Sequence, residues 1–182
     1  TGVLGKLVFV SSLVSEYMPD WHKYEDYRKS YASRSDLGGG VIATQIHEID
    51  ILFYLLGDLE VLSAIGGNTG TLDIDVEDLA VATLIQNSGD RCNVLLRQDY
   101  LGRPPKRSLE LIGKRGKLEI CLREKKLTMS YFDQQELITE YDKEDRNMAF
   151  DRQMIELLNS SGVSEKPGVT LEEARSVVTI MN

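Results

Sequence analysis

From Glu60 to Tyr141 the chain falls into short apolar stretches separated by turn residues at a spacing of roughly ten, which restricts it to a fold built on an antiparallel sheet. The stretches are Val61–Ile65, Leu79–Gln86, Cys92–Leu101, Ser108–Ile112, Lys117–Leu122, Leu127–Phe132 and Leu137–Tyr141. Asn87-Ser88-Gly89-Asp90 and Gly113-Lys114-Arg115-Gly116 supply glycine where a hairpin needs positive φ. Leu118, Ile120 and Leu122 alternate with Lys117, Glu119 and Arg123, the pattern of a strand with one wet face. Leu79 to Ile85 is apolar or small on both faces, so it predicts cover on each side. One earlier strand, Lys6–Val14, precedes this zone.

Helical periodicity brackets the sheet. Ile42, Ile46, Ile49, Phe53 and Leu56 recur at the spacing of a core stripe and predict one helix over Val41–Leu56, closed by Gly57. Met148, Ile155 and Leu158 form a stripe on a helix over Asp145–Leu158. Thr170 and Glu173 form a capping box that opens the last helix. The fold class that follows is α+β, a large, mostly antiparallel open sheet with helices on one face. The other face is expected to meet a second subunit, giving a homodimer or tetramer. Thr1 is not an initiator and the last helix has no stop signal, so residues 1–182 are expected to be one domain of a longer protein.

Charge and composition exclude several functions. With 29 acidic against 21 basic residues the chain lacks the clustered Lys and Arg of a nucleic-acid surface. Its longest apolar run, Ile51–Leu56, is far short of the roughly 20 residues of a membrane span. Cys92 and Cys121 form no CxxC and read as small core residues of a reducing, cytoplasmic compartment. His22 and His47 have no third partner at metal-ligand spacing, so no metal is expected.

The residues that could carry chemistry concentrate between Trp21 and Asp50. His47 follows three consecutive glycines, and Thr44, His47, Asp50 and Tyr54 share one polar helix face. A glycine triplet signals that a backbone or a ligand comes close, which makes Gly39 and Gly40 candidate cofactor contacts. An imidazole there can act as general base, its pKa being near neutrality. A lone helical histidine beside an acid is more often a satisfied structural residue, and both readings stand at this point. Trp21, Tyr27, Arg28 and Arg34 have substrate chemistry, since guanidinium forks match carboxylate or phosphate and aromatic faces stack on sugar rings. Loop packing and surface ion pairs account for them as well.

The run from Trp21 through Asp26-Tyr27-Arg28, Ser30-Tyr31-Ala32-Ser33-Arg34, Gly38-Gly39-Gly40 and His47-Glu48-Ile49-Asp50 resembles the glucose-fructose oxidoreductase/inositol dehydrogenase (Gfo/Idh/MocA) family. Gln98-Asp99-Tyr100, Arg103-Pro104-Pro105 and Glu110-Leu111-Ile112-Gly113 resemble its sheet, and Gly5-Lys6-Leu7 the start of its second domain. The resemblance implies a substrate-binding domain that is preceded by a Rossmann domain of about 120 residues binding NAD or NADP. Neither the glycine-rich dinucleotide turn nor the family's Glu-Lys-Pro is found here; Glu165-Lys166-Pro167 introduces the last helix instead. By the resemblance, His47 matches the catalytic histidine that takes a sugar hydroxyl proton, and Tyr100 joins the substrate contacts. Where the family often has an aspartate three residues before the histidine, this chain has Thr44. The implied function is an NAD(P)-dependent oxidoreductase of a sugar or nucleotide sugar. The alternative is a non-enzymatic sugar-binding or dimerisation module. No Ser-His-Asp set or metal cluster supports a hydrolase.

Overall fold

The structure is a computed structural model that describes residues 2–132, 137–140, 146–160 and 169–181. Strand β1 (Leu7–Ser15) leads into a loop carrying four single-turn 3-10 segments between Met18 and Leu37. Helices α1 (Val41–Thr44) and α2 (His47–Leu56) follow, then strands β2 (Leu59–Gly67), β3 (Leu79–Gln86), β4 (Asn93–Asp99), β5 (Lys106–Gly113), β6 (Gly116–Cys121), β7 (Lys126–Tyr131) and β8 (Leu137–Glu140). Helices α3 (Arg146–Ser160) and α4 (Leu171–Met181) complete the described elements. The fold is the expected α+β open sheet.

The eight strands lie in the order β2-β3-β4-β1-β5-β6-β7-β8. β1 runs parallel to β4 and antiparallel to β5, and the remaining neighbours are antiparallel. The strand nearest the start of the chain therefore sits inside the sheet. Its alternation shows this: Val10, Ser12 and Val14 are buried, with Val10 facing Val94 of β4 and Leu111 of β5 in register. The expected strand boundaries hold to within two residues, and both hairpins form; Gly89 takes the expected positive φ, whereas Gly113 and Gly116 are paired strand residues without it, set close to the Leu4 and Ser130 carbonyls.

One face of the sheet carries the core. Ile49, Leu52 and Leu56 of α2 and Val177 of α4 pack on Val10, Leu84, Val94, Leu96, Leu109 and Leu111. On the opposite face Phe9, Leu13, Leu79, Val81 and Leu95 are only half-buried, and Thr83 is exposed. The cover expected on both sides of β3 is thus present on one. α4 opens with the expected capping box: Glu173 accepts the Thr170 N–H at 2.7 Å, and the Thr170 hydroxyl accepts the Glu173 N–H at 3.2 Å.

One helix expectation needs correction, and the apolar stripe of another helix faces outward. The helix predicted over Val41–Leu56 breaks at Gln45–Ile46, because the Gln45 carbonyl is taken by the Gln98 side-chain amide at 2.7 Å and by a tight-turn bond from the Glu48 N–H at 3.1 Å. The stripe of Met148, Ile155 and Leu158 on α3 is exposed rather than buried. Periodicity shows that a helix has an apolar side without showing what it meets. Asp145, the predicted start of that helix, lies outside the described residues, as does Tyr141 at the end of the last predicted strand.

Candidate active site

The glycine triplet is built around the chain's own backbone. The Ala32 carbonyl accepts the Gly40 N–H at 3.0 Å, and Gly39 lies so close to the Tyr31–Ala32 peptide that an added Cβ would strike the Tyr31 carbonyl. Gly40 has φ 113° and is covered by the Glu77 carboxylate, which also accepts the Ile42 N–H at 3.2 Å. The Glu77 carbonyl accepts the Val41 N–H at 3.1 Å, so the segment before β3 holds the start of α1. The close approach inferred from these glycines is real, but the partner is protein. Gly40 is buried beneath the Glu77 carboxylate, and Gly39 is half-buried.

His47 is the first residue of α2, and its side chain is exposed. Its ring makes no hydrogen bond or ion pair among the described residues. Asp50 and Tyr54 are exposed beside it along the polar helix face that their spacing implied. Thr44, one turn earlier, differs: among the described residues its buried Oγ1 has no hydrogen-bond partner. It lies against Tyr100, whose hydroxyl donates to the Ala32 carbonyl at 3.4 Å.

The expected substrate residues divide into two groups. Trp21 packs edge-on against Tyr100, with ring centroids 5.2 Å apart, in a small core that also holds Met18, Ala32, Val41 and Leu72. Tyr100 is fully buried, and burial pushes its phenol well above the usual tyrosine range. Its ring is packed inside the domain, where its hydroxyl carries the loop through Ala32. Tyr27 joins the edge of this core, and its hydroxyl accepts the Asp73 N–H at 3.3 Å.

Arg28 and Arg34 stay exposed, but acids of the chain already occupy their forks. Arg28 meets both carboxylate oxygens of Asp26 at 2.8 Å and reaches Asp73 at 3.3 Å; Arg34 meets Asp36 through Nε at 2.9 Å. The guanidinium hydrogen bonds hold Asp26 and Asp36 below the usual carboxylate range, and the same carboxylates raise Arg28 and Arg34. Each guanidinium keeps N–H donors beyond those given to these carboxylates, and both side chains are about half exposed.

Several residues that the sequence reading passed over organise the site: Gln45, Glu48, Glu77, Gln98 and Asp99. Asp99 is fully buried; it accepts the Ser15 hydroxyl at 2.6 Å, the Leu101 N–H at 3.0 Å and Arg97 Nε at 2.9 Å. One signal was available: Gln45 and Glu48 fall in register with Leu52 and Leu56 on the buried side of the helix, where polar residues must find partners. Among the described residues no group of His, Cys, Asp and Glu could hold a metal ion. No single described helix is long and apolar enough to cross a membrane.

A family model described as the GFO/IDH/MocA C-terminal domain matches residues 1–119. The chain belongs to this oxidoreductase family, and the part of the family's architecture it forms is the C-terminal domain. Among solved structures it is similar to UDP-N-acetylglucosamine 3-dehydrogenase GnnA from Acidithiobacillus ferrooxidans, with TM-score 0.71 and 16% identity over 98% of this chain and 52% of that one. It is also similar to the WlbA dehydrogenase from Bordetella pertussis, solved with NADH and UDP-GlcNAcA, with TM-score 0.65 and 18% identity over 97% of this chain and 52% of that one. A third similar structure is an oxidoreductase from Agrobacterium radiobacter in complex with NAD+, L-tartaric acid and magnesium, with TM-score 0.73 and 16% identity over 99% and 54%. The chain thus spans about half the length of these proteins. Among curated proteins no sequence match was found.

Proposed function

We propose that this domain presents the proton acceptor of an NAD- or NADP-dependent dehydrogenase acting on a hydroxyl of a sugar or nucleotide sugar, with His47 as that acceptor. The observation that carries the reading is the exposed, unpaired imidazole at the start of α2, supported behind by a buried polar framework. Family membership supports the reaction class, and the names of two similar proteins, GnnA and WlbA, support a nucleotide sugar as the substrate class.

The dinucleotide would be held mainly by residues outside this chain, which spans about half the length of similar proteins solved with NADH or NAD+. Bound there, the nicotinamide supplies the hydride acceptor. What this chain does is proton chemistry: the neutral imidazole accepts the hydroxyl hydrogen as the carbon–oxygen bond gains carbonyl character. With Thr44 in the place of an aspartate, no carboxylate at that position raises the basicity of His47.

Thr44 also favours a second reading, a non-enzymatic sugar-binding or dimerisation module of the same fold. The two part on one assay. The full-length protein, given nucleotide sugars and NAD or NADP, forms reduced nicotinamide if it is the enzyme, and binds a sugar without oxidising it if it is the module. The half-buried apolar face of β1, β3 and β4 supports assembly of the whole protein as a homodimer or tetramer through the sheet.

A further inference from the structure

Glu48 stands next to the proposed proton acceptor, and nothing in the reaction as read above uses it. Its side chain is buried, with 1% of the residue exposed, and both carboxylate oxygens are engaged. One accepts the Ser12 hydroxyl at 2.9 Å and the other accepts Arg107 Nε–H at 2.6 Å. Ser12 belongs to β1 and Arg107 to its neighbour β5, two residue pairs apart along the ladder, where Ser12 faces Leu109 and Val14 faces Arg107. A single carboxylate therefore ties the first turn of α2 to two strands.

The helix break supplies a second anchor. Gln45 is also buried; its carbonyl accepts the Gln98 amide at 2.7 Å, and its own amide reaches the Asp99 carbonyl at 3.4 Å, both at the end of β4. Only Ile46 and His47 lie between these two tethers. An ionised carboxylate in the core adds little stability over an apolar side chain of similar size, so its use here points to control of position.

We infer that Glu48 is a positioning residue: through Ser12 and Arg107 it holds the first turn of α2 on β1 and β5, so that the His47 imidazole faces the open side in one orientation. The inference rests on the reading of His47 as proton acceptor. Glu48→Gln removes the charge, and Ser12→Ala removes one hydrogen bond while leaving the ion pair in place.

In the full-length protein each variant lowers kcat about ten- to a hundred-fold while KM stays within about threefold, because misorientation of the acceptor weakens the transition state more than substrate binding. Each also displaces the His47 ring resonance, identified by its loss in His47→Gln. Folded variants that keep wild-type kcat, with the His47 resonance unmoved, overturn the inference. Should Glu48→Gln fail to fold, Ser12→Ala decides by the same two criteria. If His47→Ala itself retains full turnover, the proton-acceptor reading falls, and the resonance alone then decides whether Glu48 orients that ring.

Discussion

At the scale of single residues, the chain separates those that support the loop from those left open. Tyr100 is the clearest support. Its hydroxyl donates to the same Ala32 carbonyl that receives Gly40, so Tyr100→Phe is expected to cost about 1 kcal/mol at neutral pH, read as a lower urea midpoint. The pH dependence has a definite sign. Burial raises the phenol pKa above its ordinary value of 10.0, so the folded state keeps a proton that the unfolded state releases. Stability from this group is complete below pH 10.0 and is lost as pH rises beyond it towards the folded value. Tyr100→Phe removes that alkaline loss, and parallel urea titrations at neutral and alkaline pH check it.

The same scale shows why site residues were only partly legible. Residue type ranked Arg28, Arg34 and Tyr27 together as substrate contacts, and the resemblance added Tyr100. The structure separates them by neighbours that lie two to sixty-eight positions away, Asp26 and Asp36 beside the arginines and Ala32 beside Tyr100. His47 and its exposed face were readable because helical spacing carries that information locally. Glu48 was not, because its partners Ser12 and Arg107 belong to strands distant in sequence.

At the scale of elements, strand positions were the most legible part of the fold. Turn chemistry and alternation are local, and Leu79–Gln86 was read with its observed boundaries. Strand order was not readable, since placing β1 between β4 and β5 depends on pairings across the whole chain. Continuity of the helix was overestimated because the Gln98 amide that claims the Gln45 carbonyl comes from the sheet. Two element-level predictions follow from this geometry. Gly40→Ala forces a side chain into a positive-φ position against Glu77 and is expected to destabilise the fold by about 1–3 kcal/mol, measured by chemical denaturation. Thr170→Ala removes one half of the capping box and should cost about 1 kcal/mol, visible as faster amide exchange in the first turn of α4.

On the scale of the whole molecule, the sheet has one face filled by α2 and α4 and another lined by half-buried apolar residues. If that second face joins subunits, a charge placed at its centre must be desolvated on assembly. Val81→Arg is then expected to shift the full-length protein to a smaller species in light scattering, with its circular dichroism unchanged. An unchanged mass would remove the sheet face from the assembly. In the proposed enzyme the labour is divided: this domain supplies the proton acceptor through the exposed His47, and residues outside it hold most of the nicotinamide cofactor.

The most direct test of that division is the pH–rate profile of the full-length protein and its His47→Gln variant, followed by formation of reduced nicotinamide from nucleotide sugars. The wild type should gain rate with rising pH, as a reaction that needs a base does. The variant should be about a hundred- to ten-thousand-fold slower, without that rise. A variant that keeps wild-type turnover and the same pH dependence would contradict the assignment of His47 as the proton acceptor.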